Sequence, residues 1–240
     1  MFILPSMSRP DQCAEILKRI KDSGATSKGV LVVNGRSHAE KYADELRVHT
    51  TKSLPENWRM MILPENLGCI GAMNKVFKMY PDEPWYGFIA DDEYLMKEPP
   101  PDWDKRLIEA AGDWGIAHAW ENWHNGRRCQ GYPVIGGKLV RAIGYMALPT
   151  TWHNFGFDSM YDWLSGQSVF GGGGLLNMVC VPEVKIEHNR AKPDLEIDDC
   201  YKLADSTFEQ DRNRFWDWVR RDMPIIVKRI REQIALESHF

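Results

Sequence analysis

Three consecutive carboxylates, Asp91-Asp92-Glu93, close an apolar run that begins at Trp85. At the mouth of a strand such a triplet repels itself and needs a compensating cation. Hard oxygen donors suit Mg2+ or Mn2+, ions that keep coordination positions open for a substrate diphosphate. The same three residues also suit a solvated turn. His188 ends a later run, VPEVKIEH, and is followed by Asn189-Arg190-Ala191-Lys192. A neutral imidazole there completes a mixed carboxylate site, and the basic residues after it suit a departing diphosphate. The alternative is an ordinary surface or core histidine. His38, His49, His118, His124, His153 and His239 show no ligand spacing and read as structural.

Asp158 and Asp162, four apart in FGFDSMYDWL, share a face if that segment is helical. Aromatic residues cluster around them. Trp120, Glu121, Trp123 and His124 follow one apolar run, while Trp152, His153 and Trp163 bracket the Asp158 segment. Indole faces stack on sugar rings or bases, and packing in the core or at its rim is equally open for each.

Elements must bring these groups together. Phe2-Ile3-Leu4 reads as a short buried strand ending at Pro5, and Pro10 suits a first helical position. Cys13, Ile16, Leu17 and Ile20 follow at the i, i+3, i+4, i+7 spacing of an amphipathic helix. Val30–Val33 and Met60–Leu63 read as strands, with a helix over Ser37–Leu46 between them. Ile70, Met73, Phe77 and Tyr80 mark a further helix, and Trp85–Ala90 a fourth strand. Such alternation implies parallel strands with crossover helices, a Rossmann-like α/β sheet whose ligands bind beyond the carboxyl ends of the strands. Residues 6–9, 34–35, 65–71 and 91–93 are those ends. Beyond Pro99-Pro100-Pro101 the pattern loosens into a helix over Asp102–Ala111, a strand over Gly115–Trp120, a Gly-rich middle and strand material over Leu175–Ile186. The last forty residues read as helical, interrupted at Pro224. Their stripe of Ile226, Ile230 and Ile234, set among Arg220, Arg221, Lys228, Arg229 and Arg231, fits packing on the same domain better than a membrane or polyanion surface.

Composition sets bounds. A chain of 240 residues is one large domain or at most two small ones. Apolar residues at 43% and charged residues at 27% exclude disorder and fibrous repeats. A net charge of −4 disfavours a binder that holds nucleic acid by a strongly basic face. Cys13, Cys69, Cys129, Cys180 and Cys200 form no CxxC pair, so neither a disulfide framework nor a zinc finger is expected. The opening residues have no basic lead, and no window approaches the ~20 apolar residues of a membrane span, so a cytoplasmic protein without stable membrane insertion is expected.

Five segments in order carry a family likeness. ILPSMSRP, ENLGCIGAMN, WYGFIADDE, FGFD and VPEVKIEHN together resemble the GT-A fold glycosyltransferases, family 2-like, which transfer sugars from nucleotide-sugar donors. The likeness spans residues 1–190. It implies a mostly parallel central sheet flanked by helices, with a nucleotide-sugar half over 1–98 and an acceptor half over 99–190. Residues 191–240 form a helical C-terminal extension packed on the same domain.

The resemblance implies a site. Pro5, Ser6, Ser8 and Arg9 flank the nucleotide base and diphosphate, and Asn34 stands where the family usually has an Asp contacting the base. Gly68, Gly71 and Asn74 let the backbone approach the ribose and phosphates, and Asp91 faces the ribose. Asp92 or Glu93, with His188, holds Mn2+ or Mg2+. Asp158 or Asp162 is the base that deprotonates the acceptor hydroxyl in an inverting transfer, although a retaining route needs no such base. Trp120, Glu121, Trp123, Trp152 and Trp163 form the acceptor wall. Gly171–Gly174 lacks the Gly-Lys-Ser/Thr ending of a phosphate loop, so it is flexible backbone at the acceptor mouth or a plain loop. A UDP-sugar is the expected donor. The acceptor is unknown; a modified nucleic-acid base is one alternative, and a non-catalytic nucleotide-sugar-binding protein of the same fold is another.

Overall fold

The computed structural model describes residues 1–42, 54–153, 156–166, 176–189 and 198–237. Strand β1 (Phe2–Ser6) lies between β2 (Gly29–Asn34) and β4 (Trp85–Phe88), and β3 (Trp58–Leu63) flanks β2. These four strands pair in parallel. β1 and β2 are buried at every residue, which explains their unbroken apolar sequence. Their side chains still alternate between two cores. Ile3 and its partner Val30 enter one, while Leu4 and its partner Leu31 enter the other.

Helix α1 (Pro10–Asp22) covers the second core with Cys13, Ile16, Leu17 and Ile20, the stripe that spacing picks out. It shares that face with α3 (Trp103–Ala111), whose Trp103 is wholly buried against Phe2 and Tyr132. Helix α2 (Gly68–Met79) covers the opposite face with Ile70, Met73, Val76 and Phe77. Helices α4 (Gly137–Ile143), α5 (Asp158–Ser165), α6 (Asp199–Arg221) and α7 (Met223–Glu237) pack on the same side. Phe215, Trp218, Ile226 and Ile230 of α6 and α7 join that core, so the C-terminal helices pack on the sheet domain. The basic residues between them lie outside it.

The second half of the sheet is mixed. Its strands are β5 (Glu93–Leu95), β6 (Ile116–Glu121), β7 (Val134–Gly136) and β8 (Met178–His188), and the full order is β3-β2-β1-β4-β7-β6-β8-β5. β7 runs antiparallel to both β4 and β6, β8 is parallel to β6, and β5 is antiparallel to β8. The fourth strand stops at Phe88 rather than Ala90. Five residues later Glu93 opens β5 at the far edge of the sheet. The acidic triplet is thus not one loop: Asp91 and Asp92 form a turn, and Glu93 belongs to a strand. The helix expected over Ser37–Leu46 lies mostly outside the described residues, which end in this region at Tyr42. The Gly171–Gly174 run and Arg190 to Lys192 also lie outside them. No helix among the described residues is long and apolar enough to cross a membrane.

Candidate active site

A pocket of about 340 Å3 opens at the carboxyl ends of β1, β2 and β4. Pro5, Ser6, Arg9, Asn34, Asp91, Asp92 and Glu93 line it. His188 lies beside Glu93 in that lining, Trp123, Arg128 and Asp158 complete it, and Ile70, Met73, Phe88 and Phe157 give it apolar surface.

Arg9, the residue that precedes α1, is the hub of the first group, with its side chain 6% exposed. Its Nη1 donates to Asp91 at 2.7 Å, and its Nε and Nη2 donate to the two oxygens of Asp198 at 2.6 and 2.8 Å. The guanidinium lies 4.3 Å over the ring of Tyr201 and 3.9 Å from Asp92. Ser6 donates to the other Asp91 oxygen at 2.6 Å, and Tyr201 donates its hydroxyl to Asp92 at 2.6 Å. Asp198 also caps α6 by accepting from the Tyr201 amide. A buried guanidinium is tolerable only with this density of charge-assisted partners. The end of β1, the acidic turn and the start of α6 are therefore one network.

Glu93 is 2% exposed and stands opposite His188 in the β5–β8 pair. Its carboxylate lies 3.8 Å from His188 Nε2 and accepts long hydrogen bonds from the amides of Gly131 and Tyr132. Burial, reinforced by the neighbouring Asp92, pushes its carboxyl up to about 8. Tyr132 adopts a left-handed φ of +53°, a conformation that costs a bulky residue energy. Its hydroxyl bond to the Glu93 carbonyl and complete burial hold it there. Trp123, 38% exposed, lays its ring 4.9 Å from that of His188.

Among the described residues no three His, Cys, Asp or Glu side chains are grouped to cage a metal ion. The donor set fits another arrangement. Asp92, Glu93 and His188 all line the pocket, where a divalent cation would offset the burial and the like charge that push the Glu93 carboxyl up. Mg2+ and similar ions are commonly bound through one or two carboxylates with substrate phosphates and water filling the rest.

Asp158 and Asp162 lie one turn apart on α5, and Arg128 bridges them. Its Nη2 donates to Asp158 at 2.8 Å and its Nε to Asp162 at 2.9 Å. Asp158 lines the pocket, whereas Asp162 is buried behind it, where burial and then Asp158 push its carboxyl up to about 6.

The other residues singled out by sequence are placed as follows. Ser8 is exposed and outside the lining. Asn34 reaches the pocket edge, but its amide donates to the Gly68 carbonyl and accepts from the Leu67 amide, so it is used in starting α2. Gly68 has φ +69°, and a Cβ there would stand 2.8 Å from the Trp152 carbonyl, so only glycine fits. Asn74 fastens residues 146–147 through three hydrogen bonds, and neither it nor Gly71 lines the pocket. Glu121 is fully buried and caps the turn at Trp123 and His124. Trp120, Trp152 and Trp163 lie outside the lining, and Trp163 packs edge-on against Phe215 and Trp216. His153, read as structural, lines the pocket. Sequence offered no reason to single out Arg128, Gln130 or Tyr201. Asp198 carries the one usable signal, an Asp just before a helix, and that signal speaks of capping, not of Arg9.

No protein-family model matches the sequence, and no curated protein matches it. Solved structures do. TarS 1–349 from S. aureus superposes with a TM-score of 0.53 at 13% identity, over 92% of this chain and 72% of that one. GalNAc-T7, solved with UDP, GalNAc and Mn2+, gives 0.51 at 11% identity, over 78% of this chain and 43% of that one. Glucosyl-3-phosphoglycerate synthase from Mycobacterium tuberculosis, in complex with Mn2+, UDP and phosphoglyceric acid, gives 0.50 at 12%, over 78% and 69%. At such identity the likeness is one of fold, and that fold, a curled eight-stranded sheet with flanking helices and a helical C-terminal region, is GT-A.

Proposed function

We propose that this protein is a metal-dependent glycosyltransferase that moves a sugar from a nucleotide-sugar, UDP-linked by preference, to a hydroxyl acceptor with inversion. The observation that carries the reading is the pocket itself. At the carboxyl ends of parallel strands it combines an acidic turn, a buried Glu–His pair and the further carboxylate of Asp158. Two neighbours of the same fold were solved with UDP and Mn2+.

In this reading Pro5, Ser6 and Arg9 border the nucleotide, and Asp91, held between Ser6 and Arg9, meets the ribose. Asp92, Glu93 and His188 hold Mn2+ or Mg2+. The ion, when bound, supplies positive charge beside the departing diphosphate. Trp123, 38% exposed in the pocket lining, meets the sugar. Asp158 accepts the proton of the acceptor hydroxyl as its oxygen bonds to the anomeric carbon.

Thermal denaturation with UDP, GDP and other nucleotides, each with and without Mn2+, tests the reading. A rise in Tm with UDP that needs Mn2+, and disappears in the Asp92→Ala, Glu93→Ala double variant, is expected. No metal-dependent rise with any nucleotide would refute it.

A further inference from the structure

Five consecutive residues, Arg128 to Tyr132, touch both carboxylate centres of the pocket. The Gly131 and Tyr132 amides donate to Glu93 on one side. On the other, Arg128 holds Asp158, Asp162 and the Ser159 hydroxyl, the Cys129 amide donates to Asp162 at 2.7 Å, and the Gln130 side chain donates to Asp158 at 3.0 Å.

The two α5 carboxylates are used differently. Both oxygens of Asp162 are engaged, one by the Cys129 amide and one by Arg128 Nε, and its side chain is 4% exposed. Asp158 takes both of its bonds, from Arg128 and Gln130, on a single oxygen, Oδ2. Oδ1 has no hydrogen-bond partner among the described residues, on a side chain that lines the pocket. A planar guanidinium anchored through Nε by one buried carboxylate can aim Nη2 at a second in only one orientation. A lysine ammonium has no such fork.

We propose that Arg128 is a positioning residue that fixes Asp158 with Oδ1 toward the acceptor, and that Asp162 anchors Arg128 instead of reacting. The proposal rests on the glycosyl-transfer reading and deepens it by separating the roles of the two carboxylates. Geometry decides between them, because a general base must reach the proton it removes.

Hydrolysis of the donor provides a test without knowledge of the acceptor. Water bonds to the anomeric carbon, its proton passes to Asp158, the bond to the diphosphate breaks, and UDP leaves. UDP release from UDP-glucose, UDP-galactose and UDP-GlcNAc with Mn2+ is measured for the wild type and for Asp158→Asn, Asp162→Asn, Arg128→Lys and Arg128→Ala, alongside each Tm. Asp158→Asn is expected to lower kcat by about 100-fold or more, the usual share of a general base, with the donor KM unchanged. Arg128→Lys is expected to lower kcat by roughly 10-fold or more through misplacement of Asp158, again at constant KM. Asp162→Asn keeps more activity than Asp158→Asn.

An Arg128→Lys variant with wild-type kcat and donor KM overturns the proposal. So does an Asp162→Asn variant as inactive as Asp158→Asn ought to be while Asp158→Asn turns over normally. If Arg128→Ala fails to fold, the lysine variant decides; a rate loss that merely follows its Tm assigns Arg128 a structural role and overturns the proposal. A wild type that releases UDP from no donor overturns the functional reading, and the proposal with it.

Discussion

The Tyr201 hydroxyl donates to Asp92 at 2.6 Å across 109 residues of sequence. It ties the first turn of α6 to the acidic turn between β4 and β5. The same aromatic ring lies under the Arg9 guanidinium. A group that would meet a metal–nucleotide complex is thus already partnered from the C-terminal helices.

Tyr201→Phe removes that donor from a carboxylate that is 7% exposed. Without ligand the variant is expected to lose about 1.5–3 kcal/mol, the range for a hydrogen bond to a charged group. Saturating UDP and Mn2+ supply Asp92 with another partner, so the deficit in Tm shrinks in their presence. An equal deficit in both conditions would place the ligand elsewhere.

Asn34→Asp tests whether position 34 reads the nucleotide base. The native amide donates to the Gly68 carbonyl at 2.9 Å. A carboxylate there sets two acceptors against each other and is expected to cost about 1–3 kcal/mol. Because the side chain is occupied in the turn, the ratio of the Tm shifts produced by UDP and GDP stays as in the wild type. A changed ratio would return position 34 to base recognition.

Asp162 gives a pH signature. Its carboxyl is raised from 3.8 to about 6 in the folded protein. Between about pH 4 and pH 6 the native state keeps a proton that the unfolded chain has released, so stability falls as pH rises through that window. The cost, about 3 kcal/mol for a shift of two units, is complete above pH 6. Asp162→Asn lacks this titration. Urea denaturation should find the variant gaining on the wild type by up to that amount between pH 4 and 7. A constant difference would mean that Asp162 titrates normally.

Two tryptophans should part company. Trp123→Ala, at an exposed position, is expected to change stability by under about 0.5 kcal/mol and to slow donor hydrolysis several-fold. Trp163→Ala loses its contacts with Phe215 and Trp216 and is expected to cost about 2–4 kcal/mol with hydrolysis per folded molecule unchanged. The reverse pattern would move the sugar toward Trp163.

Much of the fold is legible in local pattern. The apolar runs at Phe2–Leu4 and Val30–Val33, and the stripe from Cys13 to Ile20, each meet a demand that the sheet makes on one face of one element. Asp91 and Asp92 are legible as chemistry because carboxylates crowd there. Glu93 is misread as loop since a three-residue strand is too short to show alternation. Arg128, Asp198 and Tyr201 were hidden for a different reason. Each meets its partner through tertiary convergence, Asp198 at a separation of 189 residues from Arg9, and no spacing rule reaches so far. The tryptophans are not separated by sequence, because an indole serves a core and a groove equally well; Trp123 lines the pocket while Trp163 packs on Phe215 and Trp216.

The leap from β4 to β5 carries a geometric consequence. The two strands stand four places apart in the sheet, a distance of roughly 19 Å if it were flat. Five Cα steps from Phe88 to Glu93 reach at most about 18 Å when fully extended, and here they contain a turn closed by the Glu93 amide on the Ala90 carbonyl. The acidic segment is therefore a short chord across an arc. So short a link requires the distant edge to curve back toward β4, and the same few residues that charge the hollow also bound how flat the sheet can be.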